Sequence, residues 1–471
     1  MKENNMKPKE EHIFLLIQAG YSAKNFILSG FLNQEKAKVT LWSDQNYLKK
    51  YNINNELVLL PKHTYNRKVN FFKKLKNKSE LSYFSKRFKN KNYFSYLSKI
   101  ENKKTSLKVK IIDRITSLLS IFYSSEKGIQ NLDSPFFKVI RKTNYYKACK
   151  KQLEAKKPTI VFCTHQRATA AIAPILAAQD LGIRTICFIH SWDNIPKGLQ
   201  LVKADEYFVW SDYMKKEMLE HYSFINALKI KVTGTPQFTM HLDNAYRLDR
   251  KTFFEMFNLP IQKKYILFSG NDRTTSPNDP IYLNDLAKSV EELNLATNNY
   301  HILFRPNPID KNEGFRTVLE QYKNIITEIK PEWFGSDKML WNQGGPNKKD
   351  VTLMINTIFH SDLLVTMGST MAIDAAILNK PSCYINYDVE SNFNWSVKMA
   401  YNFIHFNIIK DIKPLFWIDE RNKFKETIKE ALINPNKTKN DREVWINRVT
   451  KTPIEETKHR MWNYLIDKHE V

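Results

Sequence analysis

The sequence predicts an α/β protein made of two Rossmann-like, doubly wound domains facing a cleft, the first carrying a basic helical insertion. Two observations lead there. Apolar, strand-like runs alternate with helical stretches in two successive series, separated by a polar break around residues 239–262. Nearly every apolar run is followed at once by polar residues able to do chemistry. Open parallel sheets place such residues beyond the carboxyl ends of their strands, where ligands bind. A length of 471 residues suits two or three domains with sizeable cores.

The first series opens with "HIFLLIQ" and "KVTLWSD". After a long basic, aromatic stretch come "TIVFCTH", an Ala-rich helix from Ala168 to Gln179, "RTICFIH", "EYFVWS" and "IKVTGTP". The second series runs "KYILFSG", "HILFRPNP", "KMLWNQ", "DLLVTMGS" and "SCYINYD". The expected organisation is a first domain over 1–240 interrupted by an insertion at about 66–125, a second domain over 241–440, and a helical tail over 441–471. Strand ends in the first half then present Gly20, Tyr21 and Ser22; His165, Gln166 and Arg167; His190 to Asn194; and Gly234 and Thr235. Those in the second half present Ser269 to Arg273, Arg305 and Asn307, Trp341 and Asn342, and Gly368 to Thr370.

The formal net charge is +24, and the excess is local: residues 61–110 hold sixteen Lys and Arg against Glu80 and Glu101. A nucleic-acid-binding surface does not require that concentration. "KNKSELSYFSK" recurs as "KNKNYFSYLSK", and Phe71, Phe72, Tyr83, Phe84, Phe88, Tyr93, Phe94 and Tyr96 lie among lysines. This reads as a basic amphipathic surface helix contacting an anionic membrane through residues 66–110. The alternative is a solvated charged insertion. No stretch reaches the roughly 18 apolar residues of a membrane span, and "IIDRITSLLSIFYSS" is interrupted by Asp113 and Arg114. The opening "MKENNMKPKEEHIFLLIQAG" reads as leading into a first strand rather than as a signal peptide. Cys149, Cys163, Cys187 and Cys383 are widely spaced and form no metal-ligand pattern. A reducing cytoplasm fits, with the chain soluble or peripheral on the inner face of the plasma membrane.

The most informative stretch is "VTMGSTMAIDAAILNKPSCYI", Val365 to Ile385, in a chain with only 12 glycines. It reads as a buried strand, a glycine, two hydroxyls at a helix start, and a helix running to about Asn379. The first N–H groups of such a helix lack internal partners and its dipole favours negative charge. Gly368 would let a ligand approach the backbone. Thr370 and Asp374, four residues apart, share a face and lie roughly 6 Å apart along the axis. That spacing suits a phosphate at the tip and a ribose one turn along. A plain strand–cap–helix turn is the alternative.

These residues resemble those of the GT-B glycosyltransferases. "STMAIDAAILNKP" resembles the donor-site helix of the GT-B enzymes that add N-acetylglucosamine to the peptidoglycan lipid precursor. "HILFRPNP" is similar to the Arg-Pro-His-Pro strand end of several bacterial GT-B transferases, with Asn307 replacing the histidine. "FIHSWDNIPKG" with "VTGTPQF" is similar to a group of bacterial surface-carbohydrate glycosyltransferases. The likeness covers roughly 155–390.

The resemblance implies a nucleotide-sugar donor held by the second domain, with Asp374 on the ribose hydroxyls and Gly270, Arg273, Arg305, Trp341, Gly368, Ser369 and Thr370 around it. Neither an Asp-x-Asp metal motif nor the Glu–seven residues–Glu pattern of a large retaining group is present. The implied enzyme is metal-independent and needs no cofactor, with cationic groups and the helix end neutralising the leaving diphosphate. Its catalytic base is expected in the acceptor-side first domain, from His165, His190 or Asp193. The activity implied is transfer from a UDP-sugar, or a CMP-sugar, to a surface glycan or lipid-linked acceptor. The rivals are a CDP-polyol phosphotransferase or sugar-nucleotide epimerase on the same fold, and a non-enzymatic membrane- or nucleic-acid-binding protein.

Overall fold

The computed structural model describes residues 11–33, 36–63, 65–97, 107–297, 299–308, 313–334, 344–389 and 395–466. The chain divides into two units, Met1–Pro236 with Val449–Val471, and Gln237–Arg448.

In the first unit seven strands form one sheet: β1 (His12–Leu16), β2 (Lys38–Ser43), β3 (Leu57–Leu59), β4 (Ile160–Cys163), β5 (Arg184–Phe188), β6 (Glu206–Val209) and β7 (Ile230–Val232). Their spatial order is β3-β2-β1-β4-β5-β6-β7 and every pairing is parallel. Leu15 sits between Leu41 and Phe162 in register. All-parallel sheets must be covered on both faces, which is why the central strands are continuous apolar runs instead of alternating ones. The second unit has a six-stranded parallel sheet of β8 (Lys264–Ser269), β9 (Tyr300–Arg305), β10 (Ile326–Glu328), β13 (Leu363–Thr366), β14 (Ser382–Ile385) and β15 (Phe416–Ile418), in the order β10-β9-β8-β13-β14-β15. A separate antiparallel pair joins β11 (Trp333–Phe334) to β12 (Gly345–Pro346). The "KMLWNQ" run lies outside the described residues.

Each sheet has one switch point, where consecutive strands turn to opposite sides: between β1 and β4 in the first unit and between β8 and β13 in the second. A crevice opens there beyond the strand ends. These two places position the candidate sites.

The insertion departs from the expected surface helix. Its main element, α1 (Arg67–Arg87), buries Val69, Leu75, Leu81 and Phe84, and also Lys76, Lys78 and Glu80. Phe84 meets His221 and Tyr222 edge-on, and the Tyr93 hydroxyl lies 2.8 Å from His221 Nε2. Of the eight aromatic residues expected at a membrane, Phe94 alone is exposed. The lysines enter because carboxylates meet them. Lys76 is 2.5 Å from Asp133 and 3.7 Å from Glu80, and Lys78 is 2.5 Å from Asp113. The lysine–aromatic pattern is therefore a packed helix with buried ion pairs.

Against α1 runs α2 (Leu107–Phe122). The tail expected over 441–471 is shared between the units. Val449 onward belongs to the first, where α8 (Thr457–Ile466) stacks Trp462 on Phe31 at 5.3 Å and donates the indole N–H to the Phe31 carbonyl. The remaining helices needed below are α3 (Ile172–Asp180), α4 (Asp212–His221), α5 (Asp279–Thr297), α6 (Lys348–His360) and α7 (Met371–Ile377).

Candidate functional site

At the second unit's switch point, two loops meet. The loop after β8 is anchored by Asp279 at the start of α5, whose Oδ2 accepts from the backbone N–H of Asn271 at 2.6 Å. Burial pushes the Asp279 carboxyl up to about 7, against the hydrogen bonds from Asn271 and Ser276. Asn271 also donates its side-chain amide to the Met367 carbonyl, tying this loop to the one after β13. Asp272 accepts from the N–H groups of Thr274 and Thr275 at 3.0 and 3.1 Å, forming a tight turn that leaves Arg273 exposed.

In the loop after β13, Gly368 takes φ +62°, and a Cβ there would stand 3.3 Å from both Phe406 and Tyr401. The backbone angle and those rings both require a glycine here. Gly270 is likewise internal: its Cβ position faces Phe304 and Phe315, and its N–H donates to the Arg305 carbonyl.

The helix begins at Met371, with Thr370 in the N-cap position, one of the two that the sequence offers. Ser369 Oγ accepts from the Met371 N–H at 3.3 Å, and Thr370 stands exposed with no side-chain cap bond. One turn along α7, Asp374 is buried with Oδ1 3.0 Å from His241 Nε2, at ion-pair distance but outside hydrogen-bond alignment. Among the described residues Oδ1 accepts no hydrogen bond. His241, on the short helix Thr239–Leu242, gave no sequence signal, because the pair spans the unit rather than one element.

Arg305, whose place after a buried strand calls for either a phosphate or a structural salt bridge, forms the bridge. Its Nη2 meets Asp350 Oδ1 at 2.8 Å at the start of α6, and both side chains are almost fully buried. Asp350 also accepts from the Glu332 N–H at 2.7 Å and the Trp333 indole at 3.1 Å. The expected phosphate ligand is instead half of a buried ion pair. Trp341 lies outside the described residues.

In the first unit, β1, β4 and β5 bring Ser22, His165 and His190 together. The two imidazoles stack face to face, centroids 4.1 Å apart and planes 3° from parallel. His165 Nδ1 accepts from the Arg167 N–H at 3.3 Å, so a neutral His165 carries its proton on Nε2. His190 Nδ1 lies 3.5 Å from Ser22 Oγ, and its backbone N–H donates to Gln166 Oε1. Burial, then the neighbouring His190 and Arg167, hold His165 well below the ordinary histidine range. Burial holds His190 down at about 4, although Asp193 pulls the other way. Both rings are therefore neutral near pH 7, the form able to accept a proton.

Asp193 is committed elsewhere: it pairs with Lys197 and accepts from Asn194 at 2.9 Å. Beside the histidines, Arg167 buries an Nε that finds no hydrogen-bond partner among the described residues, and Lys73 of α1 donates to Thr169 Oγ1 at 2.8 Å. Burial, and the Arg167 charge next to it, lower the Lys73 amine. Two cations side by side form an electropositive wall at this strand end. Among the described residues no group of three His, Cys, Asp or Glu side chains is arranged to hold a metal ion.

No protein-family model matches the sequence, and no curated protein does. Solved structures do match. The UDP-GlcNAc 2-epimerase of Methanocaldococcus jannaschii aligns over 97% of this chain and 99% of its own, with TM-score 0.53 and 13% identity. A glycosyltransferase from Rickettsia africae aligns over 98% and 100%, with TM-score 0.53 and 12% identity. S. aureus MnaA, solved with UDP, aligns over 97% and 96%, with TM-score 0.51 and 14% identity. The two parallel-sheet units of this chain thus make up the GT-B fold, shared by nucleotide-sugar epimerases and glycosyltransferases.

Proposed function

We propose that the protein is a glycosyltransferase that takes a sugar from a nucleotide-sugar donor, with a UDP-sugar favoured and a CMP-sugar as the alternative, and passes it to a surface glycan or lipid-linked acceptor. One observation carries the donor reading. The loops after β8 and β13 bring an exposed arginine, two hydroxyls at a helix start and, one turn along, a carboxylate oxygen that accepts no hydrogen bond among the described residues. Arg273, Ser369 and Thr370 take the phosphates, and Asp374 takes the ribose hydroxyls. UDP held by one protein of this fold supports the same ligand class.

In the first unit, His190 accepts the acceptor's proton as the glycosidic bond forms, and Arg167 with Lys73 attracts an anionic acceptor. The cationic groups carry leaving-group charge, so transfer is expected to survive excess EDTA. Loss of activity restored by Mg²⁺ would require a metal site instead.

The donor reading is tested by titrating UDP into wild-type protein and Asp374→Asn by calorimetry. A hydrogen bond to a charged group contributes about 1.5–3 kcal/mol, so the variant is expected to bind at least about tenfold more weakly. Because Asp374 also contacts His241, Thr370→Ala at the exposed tip serves as a second variant that leaves the buried pair intact. Unchanged affinity in both refutes the assignment.

Epimerase relatives on the same fold give the second reading its weight. An epimerase converts the nucleotide sugar alone, whereas a transferase releases nucleotide only when an acceptor is supplied. Incubation of UDP-sugars with and without lipid-linked acceptor separates the two. The outward apolar helix described next favours the transferase, since a soluble substrate requires no such surface.

A further inference from the structure

The helix α2 is built inside out. Its carboxylate and hydroxyls meet the protein: Lys78 of α1 reaches the Asp113 carboxylate at 2.5 Å and Ser117 Oγ at 2.7 Å, Lys74 pairs with the same carboxylate, and Lys86 reaches Ser124 just beyond the helix. Thr116 and Ser120 are buried on this side. Its large apolar residues face water. Leu107, Leu118, Ile121 and Phe122 are 74, 64, 61 and 80% exposed, and Ile111, Ile112 and Ile115 are exposed with them. Leu107, Ile111, Ile115, Leu118 and Phe122 recur every three or four residues, so they form one continuous stripe. A monomer in water would bury this face and solvate the other; a contiguous outward stripe marks a surface something covers.

We infer that α2 lies in the plane of an anionic lipid surface, its apolar stripe in the acyl–headgroup boundary. Charge selects this occupant. Lys110 and Arg114 are exposed on α2, and Lys86, Arg87, Lys89 and Lys91 are exposed on the adjoining stretch. A second copy of the chain would bring like charges together, whereas anionic headgroups meet opposite ones. At 16 residues the helix is about 24 Å long, too short to cross a bilayer core of about 30 Å, and no described helix is long and apolar enough to do so. The lysines that α1 turns inward thus serve to present the apolar face of α2 outward. This inference stands on α2 and its surroundings and is independent of the sugar chemistry.

The test is co-sedimentation of the full chain with vesicles of phosphatidylcholine alone or mixed with phosphatidylglycerol. Binding is expected to the mixed vesicles only, and to fall steeply toward about 0.5 M salt, where screening is nearly complete. Leu118→Ser with Phe122→Ser, which alters only exposed side chains, is expected to lower binding at least about tenfold while UDP affinity and circular dichroism stay unchanged. All four native cysteines are buried, so Leu118→Cys can be labelled selectively with an environment-sensitive dye. Its emission is expected to shift blue on anionic vesicles, which decides the matter even if the double variant folds poorly. Absence of binding to anionic vesicles, equal binding to neutral ones, or full binding by a folded double variant overturns the inference. So does a wild-type dimer that the double variant dissolves, since the occupant is then a second copy.

Discussion

Replacing Asp350 with alanine is expected to destabilise the second unit by about 3–5 kcal/mol, because the Arg305 guanidinium is then left buried without its counter-charge. Arg305 already has one nitrogen, Nη1, with no hydrogen-bond partner among the described residues, so little local compensation is available. The Glu332 N–H and the Trp333 indole lose their acceptor in the same step, and each orphaned donor adds to the cost. For a unit of this size, 1 kcal/mol moves the unfolding midpoint by roughly 2–4 °C. A drop on the order of 10 °C in the second unit's transition is therefore expected by calorimetry.

Arg305→Met with Asp350→Leu should recover much of the loss, since replacing both partners of a buried ion pair by apolar residues removes the desolvation penalty. The measurement also decides Arg305's role. A phosphate ligand would leave stability nearly intact and weaken UDP binding when changed. A near-wild-type midpoint for Asp350→Ala would contradict the structural assignment.

Much of this architecture is legible in the sequence because buried parallel strands are continuous apolar runs. β1, β2, β4, β5, β6, β8, β9, β13 and β14 can each be read that way. Of the strands in the two parallel sheets, those that escape, β3, β10 and β15, are three residues long and lie at sheet edges; β7, as short and also at an edge, is legible because its apolar residues run straight into the Gly-Thr-Pro turn. An edge strand pairs on one side only and is kept short, so it leaves almost no periodic signal.

The polar residues at strand ends are legible too, but their partners are not. That Arg305 needs a counter-charge follows from its position at the end of a buried strand. That the counter-charge is Asp350, and not a ligand, depends on how β9 meets α6. Asp374 and His241 lie 133 residues apart, and nothing local announces their contact. The same limit hides α2. Its sequence reads as an apolar run spoiled by Asp113 and Arg114, and only the lysines of α1 show that Asp113 belongs inside. Arg167, which sits directly after His165, was visible as a strand-end residue. Its side chain stands apart only once Nε is seen to lack a hydrogen-bond partner among the described residues.

His190→Asn is expected to lower kcat by about 10²–10⁴-fold, the range a positioned general base contributes, with nucleotide affinity unchanged because the donor loops belong to the other unit. The pH profile provides a readout that a structural role would not move. Burial holds His190 near 4 in the folded chain, so the acid limb of kcat/KM, which reports the free enzyme, should fall near that value and not near the ordinary 6.5.

The Arg167 charge is one of the groups pressing this value down. Arg167→Gln should therefore raise the limb toward 6.5. Selectively labelled histidine Cε1–H resonances report the same titration without any substrate.

The sign for stability is the same. A histidine whose folded pKa lies below its unfolded value binds fewer protons when folded, so the first unit loses stability as pH falls from 6.5 through about 4. Normal kcat in His190→Asn, or an acid limb that stays put in Arg167→Gln, would move the base to another residue, with His165 the next to test.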